Sequence, residues 1–272
     1  MESLPAREGD LDIAGIEPVL VRACGLSLGP GLAPALRDGI LGAASALGVP
    51  PAELVRRLLS EDRPAIAALI EHTVVGETYF YRHPEQLAAL QRHLFGSPEP
   101  LRIWSAGCAS GEEPYSVAMA LLESGRPPGR DRILATDVSE GALERAQAGA
   151  FGHWSLRRLP PELRARYFAG GAGAARIAPE VRALVAFERH NLARDPAPPG
   201  PFDLVLCRNV LIYFDPRVAA EVLYRLAAAV QPGGFLVLGP VELPLAAPLA
   251  MEWIDAFGAS LLRRPAAPTP AV

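Results

Sequence analysis

The 272-residue chain contains no lysine; all 26 of its basic residues are arginine. That removes the side-chain amine needed for a Schiff base and the lysine of a phosphate-gripping P-loop. Cysteine is nearly as scarce. Cys24, Cys108 and Cys207 are odd in number and far apart, which argues against a disulfide framework or a zinc site and fits a reducing compartment. No uninterrupted apolar run reaches the roughly 18 residues of a membrane span. The acidic opening MESLPAREGDLD lacks the charged-then-apolar layout of a signal peptide, so a cytoplasmic location is expected. A net charge of -4 supplies no chain-wide basic surface, and no nucleic-acid partner is expected. What the chain does have is apolar bulk. Half of its residues are hydrophobic, enough for one large core with a small satellite.

Residues 1–75 read as helical: GLAPALRDGILGAASALG and PPAELVRRLLS carry apolar residues at helical spacing, with Pro and Gly at the breaks. From Leu101 the pattern changes to short apolar runs alternating with helical segments. LRIWSA precedes a helix over 112–123, RILATD one over 139–148 and FDLVLCRN one over 216–230, while RALVAFE and GGFLVLG read as further strands. Continuous apolar strands separated by helices predict a mostly parallel sheet covered on both faces, an α/β fold. The expected organisation is a helical domain over 1–75, a linker that begins the active site over 76–100, an α/β domain over 101–264 and a disordered tail over 265–272. A small irregular insertion is expected at about 151–180, around FAGGAGAA.

The stretch SAGCASGEEPYS, residues 105–116, forms a glycine turn between the first strand and the first helix of the α/β region. A dinucleotide site would show GxGxxG and a helix start free of acids. Here Gly107 and Gly111 stand four apart and are followed by Glu112 and Glu113, which suits a cationic ligand better than a pyrophosphate. S-adenosylmethionine meets that description, with an adenosine, a sulfonium and an ammonium that Glu113 can pair. Acids in a first helical turn are also favoured by the helix dipole alone, and that reading stays open. Asp137, ending RILATD, stands where an acid commonly bonds ribose hydroxyls; alternatively Asp137 or Ser139 caps the following helix. Asn191 and Leu192, then Arg208 and Asn209, follow two further strands and converge on the same crevice.

Five segments in order, GETYFYR (76–82), IWSAGCASGEEPYSVAMAL (103–121), ILATDVSEGALERAQAGAF (133–151), HNL (190–192) and FDLVLCRNVLIYFDP (202–216), resemble the CheR-type chemotaxis methyltransferases. The resemblance runs over roughly residues 70–262. It implies a class I S-adenosylmethionine-dependent methyltransferase fold, Rossmann-like, with a mostly parallel seven-stranded sheet and a small all-α amino-terminal domain. The implied reaction is methyl transfer from S-adenosylmethionine to glutamate side chains of chemoreceptors or receptor-like proteins, leaving S-adenosylhomocysteine. Position by position, it makes Thr78, Arg82, Gly107, Glu113, Asp137, Asn191, Leu192, Arg208 and Asn209 cofactor contacts. It also sets Arg82 and Tyr213 beside the transferring methyl, as catalytic residues, and implies no metal. Three departures stand out. Gly76 replaces the family's usual asparagine, GPVE (239–242) replaces GHSE, and the helix expected to be basic holds only Arg37, offset by Asp38. These leave two alternatives beside the leading reading: the same chemistry on another protein or small carboxylate, or a noncatalytic S-adenosylmethionine-binding module.

Overall fold

A computed structural model of the chain describes residues 13, 15–27, 33–74, 76–170 and 173–266. The expected disorder of the tail and the reading of the acidic opening fall almost wholly outside these residues. The chain separates into two units, and one gathers the amino-terminal helices together with Tyr213–Asp215. Its helices are Ile16–Cys24, Ala33–Leu47, Pro51–Leu59 and Arg63–Thr73, packed on Ile16, Leu20, Ile40, Leu54, Leu58 and Leu69, all fully buried. Helical spacing of leucine and alanine explains these elements. The Asp62 carboxylate caps the last of them by accepting the Ala65 N–H at 3.2 Å, a standard N-cap bond. Within the same unit Leu26 bridges Phe214, and the Ser27 N–H donates to the Tyr213 carbonyl.

The second unit is built on a sheet. Its strands in chain order are β1 (Arg102–Ala106), β2 (Arg132–Asp137), β3 (Ala150–Phe151), β4 (Phe168–Ala169), β5 (Ala175–Ile177), β6 (Val185–Arg189), β7 (Phe202–Cys207), β8 (Val230–Leu238), β9 (Glu252–Ala256) and β10 (Ala259–Arg263). Seven of them form one sheet in the order β6-β2-β1-β7-β8-β10-β9. The β2, β6, β1, β7 and β8 pairings are parallel, and β10 alone runs against its neighbours. This is the expected mostly parallel, Rossmann-like sheet. β1 lies inside the sheet between β2 and β7 and is buried from Ile103 to Ala106, which is why LRIWSA reads as an apolar run instead of an alternation. Reversal of strand order around β1 opens a crevice at the carboxyl ends of the strands, where such folds hold ligands.

Helix Glu112–Glu123 packs against β2 and β6, and helix Pro216–Ala229 against β7 and β8. Between helix Glu140–Ala148 and β6 the chain forms a second, antiparallel sheet in the order β3-β5-β4. The sequence led to an irregular substructure there, since strands of two or three residues are too short to show a period. Its aromatic core receives Phe80, whose ring meets Phe151 at 4.7 Å and Phe168 at 5.1 Å, both edge-on, the geometry aromatic quadrupoles prefer.

A buried ion pair fixes the chain entering β1. The Arg126 guanidinium grips the Asp131 carboxylate through two bonds of 2.7 Å and donates to the carbonyls of Phe95, Ser97 and Glu99. Asp131 also accepts the Leu101 N–H at 2.9 Å. The two side chains are 5% and 1% exposed. Asp131→Ala leaves a guanidinium buried without its counter-charge and is expected to cost about 3 to 5 kcal/mol of stability. Urea unfolding of the two proteins checks this; equal midpoints would contradict the assignment.

Candidate functional site

The glycine turn after β1 is held by its own backbone. Gly107 (φ +78) and Gly111 (φ +94) occupy left-handed conformations, and a Cβ at either would approach Val210 to 2.5 Å or Ala146 to 2.9 Å. Only glycine fits both positions. The N–H groups of Gly107 and Cys108 both donate to the Thr136 carbonyl, at 2.8 and 2.9 Å. Ala109, itself left-handed at φ +47, donates its N–H to the Asp137 carboxylate at 2.8 Å, and the Ser139 N–H donates to the other oxygen at 3.0 Å. Asp137 thus ties the turn to the end of β2, while Ser139 caps helix Glu140–Ala148 through the Ala142 N–H. The capping role open in the sequence belongs to Ser139.

The two acids of GEEP are both buried, and each has a partner. Glu112 accepts from the Ser110 hydroxyl at 2.7 Å. Glu113 accepts from the Ser105 hydroxyl and from the Arg208 Nε, each at 2.6 Å. Arg208 donates onward to the Gln86 side-chain oxygen at 2.9 Å and to the Arg82 carbonyl at 2.7 Å, and Gln86 donates to the Leu238 carbonyl at 2.8 Å. Glu113 is 9% exposed and Arg208 8%. The positive end of the helix dipole and the guanidinium together offset a carboxylate that burial would otherwise penalise. Glu113 is therefore not a free acid awaiting a cation, although a carboxylate has about four lone-pair sites and retains acceptor capacity.

Sequence reasoning missed Glu242. It is fully buried and accepts four backbone N–H bonds: from Gly239 and Asn209 on one oxygen, at 2.8 and 2.7 Å, and from Val210 and Leu211 on the other, at 2.8 Å each. This carboxylate clamps the chain leaving β7 to the chain leaving β8. Its sequence signal is a lone acid inside the apolar stretch GPVELPL. Held this way, Asn209 takes a left-handed conformation (φ +59), and its side-chain oxygen is buried with no hydrogen-bond partner. A buried orphan acceptor beside a glycine turn is what a bound donor would satisfy.

The remaining predicted residues fall as follows. Arg82 lies between Tyr81 and His83, both left-handed at φ +58, a strained arrangement of the kind that collects at functional sites. Its guanidinium donates to the Glu77 carbonyl at 3.1 Å. Burial, and then the Arg208 charge, hold the His83 imidazole below its ordinary pKa against the opposing pull of Glu85. Thr78 is half-buried on the coil before Phe80. The Asn191 side-chain oxygen accepts the Ala193 N–H at 3.1 Å, and its own N–H donates to Asp195. The Leu192 carbonyl accepts from Arg225. His190 donates its N–H to the Asp137 carbonyl at 2.9 Å, so the Asn191 loop is joined to the end of β2. Tyr213 groups with the first unit.

Burial pushes the Cys108 and Cys207 thiols well above their ordinary value, helped by nearby carboxylates, which disfavours the thiolate at both. S-adenosylmethionine fits the residues present: a glycine cradle, a buried unpartnered acceptor on Asn209, and acids where a phosphate-bearing ligand would need cations. Glu242→Gln puts an amide N–H₂ where two backbone N–H groups need an acceptor, and a loss of about 3 kcal/mol is expected. Denaturant unfolding measures it; unchanged stability would remove the clamp from the account.

Over residues 76–250 the chain matches the family model described as CheR methyltransferase, SAM binding domain. It is 37% identical over 201 residues to the chemotaxis protein methyltransferase of Vibrio parahaemolyticus, covering 70% of this chain and 73% of that protein. It is 39% identical over 208 residues to a Pseudomonas aeruginosa protein named "Probable biofilm formation methyltransferase WspC", covering 73% and 49%. An "Uncharacterized 104.1 kDa protein in hypE 3'region" of Rhodobacter capsulatus is 38% identical over 204 residues, covering 71% and 21%. The chain therefore spans about half the length of the second relative and about a fifth of the third. Because the matched region takes in more than half of the chain, the protein belongs to the CheR methyltransferase family and carries that family's S-adenosylmethionine-binding domain.

Proposed function

We propose that this protein is a protein-glutamate O-methyltransferase that uses S-adenosylmethionine to esterify glutamate side chains of a chemoreceptor, or of a receptor in a related signalling array, in the cytoplasm. The observation that carries this reading is the state of Arg82. Among the described residues its guanidinium has no ion pair, although two acids lie close to it in sequence. Glu77 pairs with Arg157, and Glu85 is hydrogen-bonded to the His83 imidazole. Arg82 is thus a positive charge left for an incoming carboxylate, on a backbone that Arg208 holds by its carbonyl. Among the described residues no helix is long and apolar enough to cross a membrane.

When bound, S-adenosylmethionine supplies an electrophilic methyl group. A glutamate side chain has a reference pKa of about 4.3 and is ionised at neutral pH, so no general base is needed. The protein's task is alignment, from which well-oriented reactants recover on the order of 7 to 11 kcal/mol of barrier. Arg82 grips one acceptor oxygen, and the Tyr213 hydroxyl steers the carboxylate. Thr78, Gly107, Glu113, Asp137, Asn191, Leu192, Arg208 and Asn209 hold the cofactor, with Asn209 accepting from it and Glu113 and Asp137 shaping the turn. The helix Ala33–Leu47 carries only Arg37 and Asp38 as charged residues, and this favours a second reading: an acceptor, protein or small carboxylate, that does not dock on a basic helix.

Labelled methyl from S-adenosylmethionine is expected to appear on a receptor as a base-labile ester. Arg82→Ala and Tyr213→Phe should each lower its rate by about 10² or more, the size typical for a lost orienting group. Full activity in both variants would sink the mechanism, and label confined to a low-mass product would select the second reading. With no base to titrate, kcat should stay flat between about pH 6 and 9; a rise across that range tracking one ionisation would contradict the absence of a base.

A further inference from the structure

One half-buried arginine outside the motif set bears on Arg82. Arg157 follows the short helix His153–Leu156 of the inserted substructure. Its guanidinium lies over two rings, 4.1 Å from the centre of the Tyr79 ring and 4.0 Å from that of Trp154. It donates to the Trp154 carbonyl at 2.7 Å and to the Glu77 carboxylate at 3.3 Å. Its side chain is 19% exposed, whereas Trp154 is 65% exposed. Lying over two rings while donating from separate nitrogens to a carbonyl and a carboxylate suits a planar guanidinium better than a point-charge ammonium.

Two of the three residues that Arg157 touches, Glu77 and Tyr79, are the ones that support the Arg82 side chain. Arg82 donates to the Glu77 carbonyl and lies 5.6 Å from the Tyr79 ring centre. Residues 76–79 form no helix or strand. From Phe80 onward the backbone has its own anchors: the Phe80 N–H donates to the Ser155 carbonyl, the Tyr81 N–H to the Ser116 hydroxyl, and the Arg82 carbonyl accepts from Arg208. Those anchors fix where the Arg82 chain begins. They do not fix where its guanidinium ends, which depends on Glu77 and Tyr79. A side chain at position 76 supplies no tether either, since that position is glycine, and a Cβ there would meet nothing within 4 Å.

We propose that Arg157 is a positioning residue for the reaction: through Glu77 and Tyr79 it sets the place and direction of the Arg82 guanidinium. This rests on the reading of Arg82 as the group that grips the acceptor carboxylate. In steady-state assays Arg157→Gln is expected to lower kcat by about 10- to 100-fold, the scale of an ångström-sized misplacement, with the Kd for S-adenosylhomocysteine within about twofold of wild type and thermal stability close to it. Arg157→Lys, which keeps charge and one donor, should recover part of the loss.

The deciding test is the double variant. If Arg157 acts through Arg82, Arg157→Gln has no further effect in an Arg82→Ala background, because neighbours that work as a unit are not additive. Additive losses, or an unchanged kcat in Arg157→Gln, would overturn the proposal. Amide exchange of residues 77–82 gives an answer that needs no acceptor. Exchange should accelerate in Arg157→Gln and be restored in part by Arg157→Lys; identical protection in all three proteins would overturn it too. A wild-type chain with no transferase activity but with that exchange pattern would remove the proposed function and leave the clamp standing.

Discussion

The buried pair of Glu113 and Arg208 joins four points of the chain, and the exit of β7 lies 95 residues or more from the others in sequence. Through it, the start of helix Glu112–Glu123, the exit of β7, the Arg82 backbone and the Gln86 side chain become one hydrogen-bonded unit, with Ser105 of β1 completing the Glu113 shell. The Arg82 side of the crevice depends on this arrangement. It makes two acids tolerable at a helix start, because one is neutralised and the other is bonded by Ser110. It also uses up the positive charge of Arg208, while Arg82, next to it, has no ion pair among the described residues. A pair so deeply buried adds little net stability, yet removing either partner strands a charge, so its value lies in fixing one geometry.

Glu242 performs the matching task on the other side of the crevice. Four backbone N–H groups around one carboxylate define the turn that carries Asn209, and GPVE keeps the parts of the more usual GHSE that take part in it. The final glutamate and the first glycine are retained, and these supply the carboxylate and one of its donors. The residues between them contribute none of the four bonds. Asn209 then bears the cost of the site in the form of an unpartnered oxygen and a left-handed backbone.

Much of this was legible in the sequence, for identifiable reasons. Apolar runs such as LRIWSA and FDLVLC marked the sheet because strands covered on both faces need no polar alternation. Glycines four apart followed by acids marked the turn. The chain has only two asparagines, Asn191 and Asn209, and both follow strands on the crevice side. What could not be read is pairing across long separations. Nothing in GEEP points to a guanidinium 95 residues away, and the sequence treated Glu113 as free for a cation. Glu242 was missed for the same reason, since its partners are backbone groups with no residue signature. The sheet of β3, β4 and β5 was hidden by strands too short for a period to emerge, and the Arg157 clamp by an arginine lying outside every motif.

Titration calorimetry with S-adenosylmethionine and S-adenosylhomocysteine tests the central claim most directly, comparing the wild-type chain with Asn209→Gly. Glycine accepts the left-handed backbone and removes the orphan oxygen. The account predicts micromolar binding to the wild type, about -8 kcal/mol, and at least tenfold weaker binding to a variant no less heat-stable than the parent. No binding of either ligand to the wild type, or equal binding by both proteins, would contradict it.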